Sequence, residues 1–81
     1  MARFRVPSGL RGRTGGLAEF DVAAVNYREA VRLIVARFPA FSEKDLLNCS
    51  VAIDGEIFPR PLLATLKPDS EVVLLGRMFA G

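Results

Sequence analysis

Residues 71–77 have the sequence "EVVLLGR", and this stretch decides the fold. Four apolar residues follow Glu71 without interruption, whereas a strand with one face in water alternates apolar and polar residues. The stretch therefore predicts a final strand near the middle of a sheet. Because successive side chains point to opposite faces, Val72 and Leu74 are expected to face the layer that covers the sheet.

Two segments near the start of the chain predict neighbouring strands. "ARFRV" at residues 2–6 and "LAEFDV" at residues 17–22 both alternate apolar and polar side chains, which is the pattern of a half-buried strand. Pro7 lacks an N–H and ends the first of these strands. We expect the two strands to pair as a hairpin across "PSGLRGRTGG" (residues 7–16), which is typical of a loop or broad turn.

The covering layer is predicted from residues 26–38, "NYREAVRLIVARF". Asn26 is a suitable N-cap, and Glu29 three residues later completes a capping-box pattern. Pro39 stops the helix. One face of this helix carries an apolar stripe that is expected to pack on the sheet: Tyr27, Val31, Ile34 and Phe38, flanked by Ala30 and Val35.

The second half of the chain predicts the remaining strands. "AFSEKDLLN" (residues 40–48) is typical of a connector with a short helical turn, and "CSVAID" (residues 49–54) predicts a third strand. Asp54-Gly55 is a tight-turn signal that leads to a short fourth strand, "EIF", which the prolines after it restrict to an edge. The loop "LLATLKPDS" (residues 62–70) is expected to bury its leucines. The resulting order is an α+β layer arrangement.

Composition limits the chemistry that the chain can perform by itself. Its 81 residues indicate one domain, spanning 1–81, and the 51% apolar content is enough for a core. There is no His, and we predict no catalytic residue and no metal site. Cys49 has no partner for an internal disulfide and is expected to be a small buried apolar residue. The absence of a signal peptide and of a long apolar run indicates a cytoplasmic protein with no membrane partner.

The charge balance argues against nucleic acid as a partner. The 11 basic residues are scattered and nearly matched by 9 acidic ones, for a formal charge of +2. Nucleic-acid binders usually gather basic residues on one face instead. The densest basic group is interpreted as a solvated edge and loop, with a docking surface for an acidic partner as the alternative. This group consists of Arg3, Arg5, Arg11 and Arg13.

Taken with this order of elements, several stretches resemble the ubiquitin-like β-grasp fold and, more narrowly, the MoaD/ThiS sulfur-carrier family with its CysO-like members. The stretches are "VPSGLRGRTGG" (6–16), "AIDGE" (52–56), "LLATLKPDSEVVLL" (62–75) and the tail "RMFAG" (77–81). The resemblance covers nearly the whole chain. It implies an α+β fold with a mixed four- to five-stranded sheet, one helix packed across one face, and a flexible C-terminal tail at residues 77–81.

The resemblance also implies a function. In that family a ubiquitin-activating-like partner enzyme adenylates the terminal glycine, using ATP and magnesium. Sulfur transfer then gives a thiocarboxylate for a sulfur-accepting synthase subunit, as in molybdenum cofactor biosynthesis. The chain itself is expected to bind no cofactor and to be a carrier or small subunit, not an enzyme. The residue so modified is Gly81, and the tail that enters the partner's active site is Arg77, Met78, Phe79 and Ala80.

The tail departs from the family pattern in three places. Ala80 stands in place of the penultimate glycine, Phe79 in place of a small residue, and Gly76 in place of a proline. Ala80 and Phe79 favour a second hypothesis, a non-catalytic β-grasp interaction module that has lost carrier chemistry. A third is a protein modifier joined to lysine through Gly81. A stand-alone enzyme is least favoured, because the carboxylates lie in turns or at a strand start.

A docking surface is predicted beside the tail. Val73 and Leu75 share one face of the last strand with Arg77, opposite to the core. Together with Ile57 and Phe58 they would form an exposed apolar patch, and such a patch usually marks a contact site. The alternative is that the connector or the loop "PRPLL" covers these residues.

Overall fold

The computed structural model describes residues 1–76, and the tail predicted at residues 77–81 lies outside them. The order of the five strands and of the main helix is the one that the sequence predicts. The elements are β1 (Ala2–Arg5), a first 3₁₀ helix (Ser8–Thr14), β2 (Glu19–Val22), α1 (Tyr27–Arg37), α2 (Glu43–Leu47), β3 (Ser50–Ile53), β4 (Glu56–Phe58), a second 3₁₀ helix (Pro61–Leu63) and β5 (Glu71–Gly76).

The five strands form one mixed sheet in the order β2-β1-β5-β3-β4. β5 lies in the middle, as its apolar sequence predicts, and pairs in parallel with β1 and antiparallel with β3. β1 and β2 form the predicted hairpin, and β4 is an edge strand, as the prolines after it require. The fold class is the predicted α+β arrangement of a sheet with one main helix on one face.

The core lies between α1 and the sheet. Val72 and Leu74 of β5 are fully buried, as the alternation along the strand predicts. The ring of Phe4 stacks on those of Phe20 and Tyr27, with centroids 5.7 Å and 6.4 Å apart. The predicted helical stripe is confirmed, because all of its residues are buried: Tyr27, Val31, Ile34 and Phe38.

The ends of α1 follow the local sequence signals. The side-chain oxygen of Asn26 accepts a 2.8 Å hydrogen bond from the backbone N–H of Glu29, which is the predicted N-cap. The Glu29 carboxylate reaches back to the N–H of Val25 at 3.3 Å, one residue earlier than a regular capping box. The helix ends at Arg37, before Pro39. Side chains close to the helix in sequence therefore satisfy N–H groups that the helix itself leaves free.

The glycine-rich segment after β1 forms a 3₁₀ helix, not the loop that its composition predicts. The hydroxyl of its buried Thr14 lies 2.8 Å from the carbonyl oxygen of Leu17 and 3.1 Å from that of Arg11. Gly15 ends the helix at φ 68°, a left-handed conformation that glycine adopts without steric cost. Hydrogen bonds to the backbone hold this segment in place. Hydrophobic periodicity therefore does not reveal the 3₁₀ helix in the sequence.

The segment after β4 also differs from the prediction. Leu66 is buried as expected, but Leu62 and Leu63 in the second 3₁₀ helix are 38% and 86% exposed. Pro61 takes the buried position instead. Backbone hydrogen bonds join this segment to the residues around the start of α1. These bonds hold the segment in place although two of its leucines are exposed.

The phenol of Tyr27 joins α1 to α2. Its hydroxyl donates a 2.7 Å hydrogen bond to the carbonyl oxygen of Leu46. Burial raises the pKa of Tyr27 far above its ordinary value, and the nearby Cys49 adds to the shift, so the hydroxyl stays protonated and remains a donor. This bond holds α2 against the core where the chain turns into β3.

The predicted tight turn between β3 and β4 is confirmed at Asp54 and Gly55, whose φ angles are 51° and 88°. The Asp54 carboxylate also reaches the start of β5. It accepts a 2.9 Å hydrogen bond from the backbone N–H of Glu71 and a 3.0 Å bond from the hydroxyl of Ser70. These bonds favour the charged form and lower the pKa of Asp54, the Glu71 N–H being the larger cause.

The Asp54 carboxylate is expected to make stability depend on pH. Folding lowers the pKa of Asp54 below its ordinary value of 3.8. The charged carboxylate therefore stabilises the fold above that pH, and the contribution is lost as pH falls through the lowered value. Asp54→Asn tolerates the left-handed backbone and keeps an acceptor for Glu71, but it cannot titrate. Between about pH 5 and pH 2 the variant should lose less thermal stability than the natural chain. Identical pH profiles of the melting temperature would contradict this role.

Candidate functional site

The face of the sheet turned away from α1, called here the outer face, carries the predicted docking residues. Strand pairing places Arg5, Val73, Ala52 and Ile57 side by side in one row across four strands. Leu75 lies on the same face of β5, beyond Val73. The row changes from charged to apolar between β1 and β5, so the outer face has a charged half and an apolar half.

The apolar half of the outer face consists of Ala52, Ile57, Val73 and Leu75. Ile57 is 59% exposed, and the other side chains are half-buried. The structure therefore brings together Ile57, Val73 and Leu75, which the sequence assigns to a docking patch. A contiguous apolar surface of this kind is typical of a contact site.

Phe58 is not part of this surface, and its assignment to the patch is wrong. It pairs with the fully buried Val51 and packs against the core from β4. Neighbouring residues on a strand point to opposite faces, so Ile57 and Phe58 cannot both lie outside. Ala52 completes the surface instead. The sequence does not single it out, because only the pairing register places it between Val73 and Ile57.

The charged half of the outer face is an ion-pair ladder across β2, β1 and β5. Arg3 lies 3.4 Å from Asp21 and 3.7 Å from Glu19. Arg5 lies 3.0 Å from Glu71 and 3.9 Å from Glu19. These side chains are about half exposed, so each pair contributes less than about 1 kcal/mol to stability. The ladder neutralises both arginines within the sheet, and this half of the face is not a basic surface.

The structure does not support the alternative in which a connector covers the outer face. α2, which lies in the connector, packs against α1 on the other side of the sheet. The second 3₁₀ helix, which holds the leucines of "PRPLL", also packs against α1. Within residues 1–76 the apolar half of the outer face is therefore open to a partner.

β5 ends at Gly76, immediately before the predicted tail. Pairing with β3 is irregular there, because Val51 pairs with Leu74 while Ser50 pairs with Gly76. An extra residue on one strand is a β-bulge, and it interrupts the alternation of side chains. The predicted direction of Arg77 assumes unbroken alternation. The predicted tail residues all lie outside the described residues: Arg77, Met78, Phe79, Ala80 and Gly81.

Several segments meet at the end of the sheet where β5 stops, called here the tail end. Because β1 and β5 are parallel, the first 3₁₀ helix follows β1 at this end. α2 lies there too, since it leads into β3, whose first residue pairs with Gly76. A 2.8 Å ion pair between Arg13 and Asp45 joins the 3₁₀ helix to α2.

Side chains that commonly carry chemistry are few in the described part of the chain. Among residues 1–76, no His, Cys, Asp and Glu side chains are grouped so that they could hold a metal ion. Cys49 is 5% exposed, as predicted, and its thiol donates a 3.3 Å hydrogen bond to the carbonyl oxygen of Ser50. In the same residues, no helix is both long enough and apolar enough to cross a membrane.

Comparison with solved structures identifies the fold. The chain matches CysO, an antigen of Mycobacterium tuberculosis, with a TM-score of 0.80 and 16% identity over 94% of this chain and 98% of that one. It matches a chain of the BexX/CysO complex of Amycolatopsis orientalis with a TM-score of 0.79 and 20% identity over 100% of both chains. It matches the small archaeal modifier protein 1 of Methanosarcina acetivorans with a TM-score of 0.73 and 15% identity over 99% of this chain and 95% of that one.

These likenesses show that the chain has the β-grasp fold. The predicted resemblance to CysO-like proteins is thereby confirmed at the level of the fold. Sequence comparison adds no support for a family, because the chain matches no protein-family model and no curated protein.

Proposed function

We propose that this protein is a sulfur carrier whose Gly81 carboxylate is adenylated by a partner enzyme and then converted to a thiocarboxylate. The partner is a ubiquitin-activating-like enzyme that supplies the active site and uses ATP and magnesium. A synthase subunit accepts the sulfur. The reaction belongs to the biosynthesis of a cofactor or metabolite, such as the molybdenum cofactor, and takes place in the cytoplasm.

The observation that carries the proposal is the position of β5. The strand is central in the sheet, is paired on both sides, and ends beside the apolar half of the outer face. A tail that follows such a strand starts from a fixed point on the body. An enzyme that docks on the apolar half is therefore placed next to the start of the tail. The same fold occurs in CysO and in the small archaeal modifier protein 1.

The proposed chemistry requires a carboxylate from the carrier and no catalytic side chain. A carboxylate oxygen is a poor leaving group. The carboxylate first attacks the α-phosphorus of ATP, which releases pyrophosphate and leaves an acyl adenylate. A sulfur nucleophile then attacks the acyl carbon and releases AMP. Gly81 suits this role because, without a side chain, it allows an active site to close on both faces of its carboxylate.

Ala80 and Phe79 set a requirement on the partner. The methyl group of Ala80 must fit where the resembled family has a second glycine, and overfilling a close-packed site costs about 1–3 kcal/mol. We propose that the partner's channel is wider at these two positions. A partner matched to this chain should therefore discriminate poorly against a carrier that ends in two glycines.

The direct test is the intact mass of the protein after incubation with ATP, magnesium and a sulfur donor in a lysate of its source organism. We expect a mass increase equal to the replacement of one oxygen by sulfur, located on Gly81 by fragmentation. No increase is expected when ATP is omitted. An unchanged mass in a lysate whose ATP is shown to persist would argue against a sulfur carrier.

Two other functions are each favoured by one observation. Ala80 and Phe79 favour a non-catalytic interaction module, which predicts partner binding without any change of mass. The likeness to the small archaeal modifier protein 1 favours a protein modifier. A modifier shares the adenylation step but ends in an isopeptide bond to lysine, so larger conjugates in the same lysate would identify it.

A further inference from the structure

Ion pairs neutralise most of the basic group that is densest in the sequence. Arg3 and Arg5 belong to the ladder on the outer face, and Arg13 pairs with Asp45. A docking surface for an acidic partner made from this whole group is therefore not supported. Of its members, Arg11 is the one without an ion pair among residues 1–76. Other basic side chains that lack an ion pair lie in distant parts of the sequence.

Three exposed basic side chains that form no ion pair among residues 1–76 lie on segments that meet at the tail end. The others of this kind are Arg28, Arg32 and Arg37 on α1, and Lys67 before β5. Arg11 lies in the first 3₁₀ helix, where its Nε donates a 3.1 Å hydrogen bond to a backbone carbonyl at the end of β1. Lys44 lies in α2. Arg60 follows β4, whose last residue, Phe58, pairs with the start of β3. Glu43, also in α2, is the unpaired carboxylate near them.

Three carboxylates without an ion pair among residues 1–76 lie at the opposite end of the sheet, and Glu29, another such carboxylate, lies in the first turn of α1. Asp54 and Glu56 lie at the turn between β3 and β4, and Asp69 lies just before β5. Asp69 also lines a surface depression together with Arg3, Asp21 and Glu71 of the ladder. Lys67 is the basic residue placed among them. Among the unpaired side chains on the segments that join the strands, basic residues therefore predominate at the tail end and carboxylates at the opposite end, although the formal net charge is only +2.

We propose that Arg11, Lys44 and Arg60, called here the basic rim, contact acidic side chains that surround the opening through which a partner protein receives the tail. The inference rests on the proposed function for the role of the tail. The basic rim and the apolar half of the outer face both adjoin the end of β5, so one partner can engage both. The apolar half provides contact area. The basic rim orients the approach, because the partner's acidic surface attracts the tail end and repels the acidic end.

The basic rim fits an acidic protein surface better than it fits a nucleic acid. Its charges come from three separate segments and do not form the continuous row that follows a phosphate backbone. The aromatic side chains of residues 1–76 are buried or half-buried, so none stands out to stack on bases. Separated cations beside an apolar surface are instead typical of the polar rim around the core of a protein interface.

An acidic peptide tests the basic rim directly. The full-length protein, labelled for magnetic resonance, is titrated with hexaglutamate at low ionic strength while its backbone amide signals are followed. We expect the largest shifts at Arg11, Lys44 and Arg60, and weaker binding as salt is added. Shifts spread evenly, or largest at Asp54 and Glu56, would overturn the proposal. Tighter binding of an oligothymidylate at the same residues would overturn it as well.

Charge reversals at the two ends make the test quantitative. Arg60→Glu and Lys44→Glu should each weaken hexaglutamate binding about three- to tenfold, because a repulsion replaces an attraction. Lys67→Glu is the matched control, since it changes the net charge equally at the acidic end. Its effect should stay below about twofold. An equal effect of all three variants would show that net charge alone matters and would overturn the basic rim.

The outcome is separable from the carrier chemistry. A protein that binds hexaglutamate at the basic rim but gains no sulfur with ATP contradicts the proposed function alone. A protein that gains sulfur but binds hexaglutamate without preference for the tail end contradicts the basic rim alone.

Discussion

Deletion of Ala80 and Gly81 is expected to abolish the ATP-dependent replacement of oxygen by sulfur. The proposed reaction takes place on the terminal carboxylate, which in the shortened chain belongs to Phe79. A benzyl group then stands where the natural chain has a hydrogen atom. Even one extra methylene in a close-fitting site can cost about 1–3 kcal/mol, so a whole ring should prevent adenylation. Intact mass after incubation with ATP measures the loss.

Ala80→Gly is the matched control for this deletion. It keeps the length of the tail and the terminal glycine, and it removes only one methyl group. We expect it to react at least as fast as the natural chain. Melting temperatures of both variants show whether the body still folds. Sulfur gain by the shortened chain would show that Gly81 is not the site, and normal partner binding and growth would favour the interaction module.

Ile57→Asp is expected to slow sulfur gain about tenfold or more when the carrier is present at low concentration. Ile57 is the most exposed member of the apolar half, at 59%. A partner that docks there removes this side chain from water, and truncating a contact residue that becomes fully buried can cost more than about 1–2 kcal/mol. A carboxylate at the same place must in addition lose its hydration. Because Ile57 is mostly exposed in the free protein, the stability of the fold should change by no more than about 1 kcal/mol, mainly through the poorer strand propensity of aspartate.

Leu63→Asp provides the same chemical change on another surface. Leu63 is 86% exposed in the second 3₁₀ helix, which packs against α1 and not on the outer face. We expect this variant to gain sulfur at the rate of the natural chain. Initial rates of mass change, measured for both variants in one lysate, give the comparison. Equal slowing by both substitutions, or none by Ile57→Asp, would rule out the apolar half as the docking surface.

Electrostatics give the two halves of the outer face different roles. The ladder of Arg3 and Arg5 with its carboxylates is satisfied inside the sheet, so a partner gains little from contacting it. The apolar half has no such internal partner. We therefore infer that docking centres on the apolar half and that its dependence on salt comes from the basic rim, not from the ladder.

Local patterns in the sequence were enough to predict the strands and the main helix of the fold. The uninterrupted apolar run of β5, the stripe of α1 and the Asp54-Gly55 turn each depend on residues within one segment. Strand alternation depends on a period of two and helical stripes on a period of 3.6 residues, which a single segment reveals. The same local rule correctly placed Val72 and Leu74 inside, whereas Val73 and Leu75, expected to be exposed, are half-buried on the outer face.

The prediction of the candidate site was less complete. Phe58 was assigned to the wrong face, and Ala52 was missed, because both positions depend on how β3 pairs with β4 and β5. Leu62 and Leu63 were expected to be buried, but Pro61 fills that place. Composition alone could not show which of these apolar residues is buried. In so short a segment, one side chain that occupies the buried position leaves no room there for its neighbours.

By itself, the sequence determined the order of strands and helix, the central place of β5 and the face that each of its side chains takes. These follow from short-range periodicity and from backbone limits of proline and glycine. Only the tertiary structure decided that Ala52 shares a surface with Ile57 and Val73, and that the segments of Arg11, Lys44 and Arg60 lie at the same end of the sheet. Strand register and the packing of helices set these neighbours, and both depend on contacts between segments far apart in the chain.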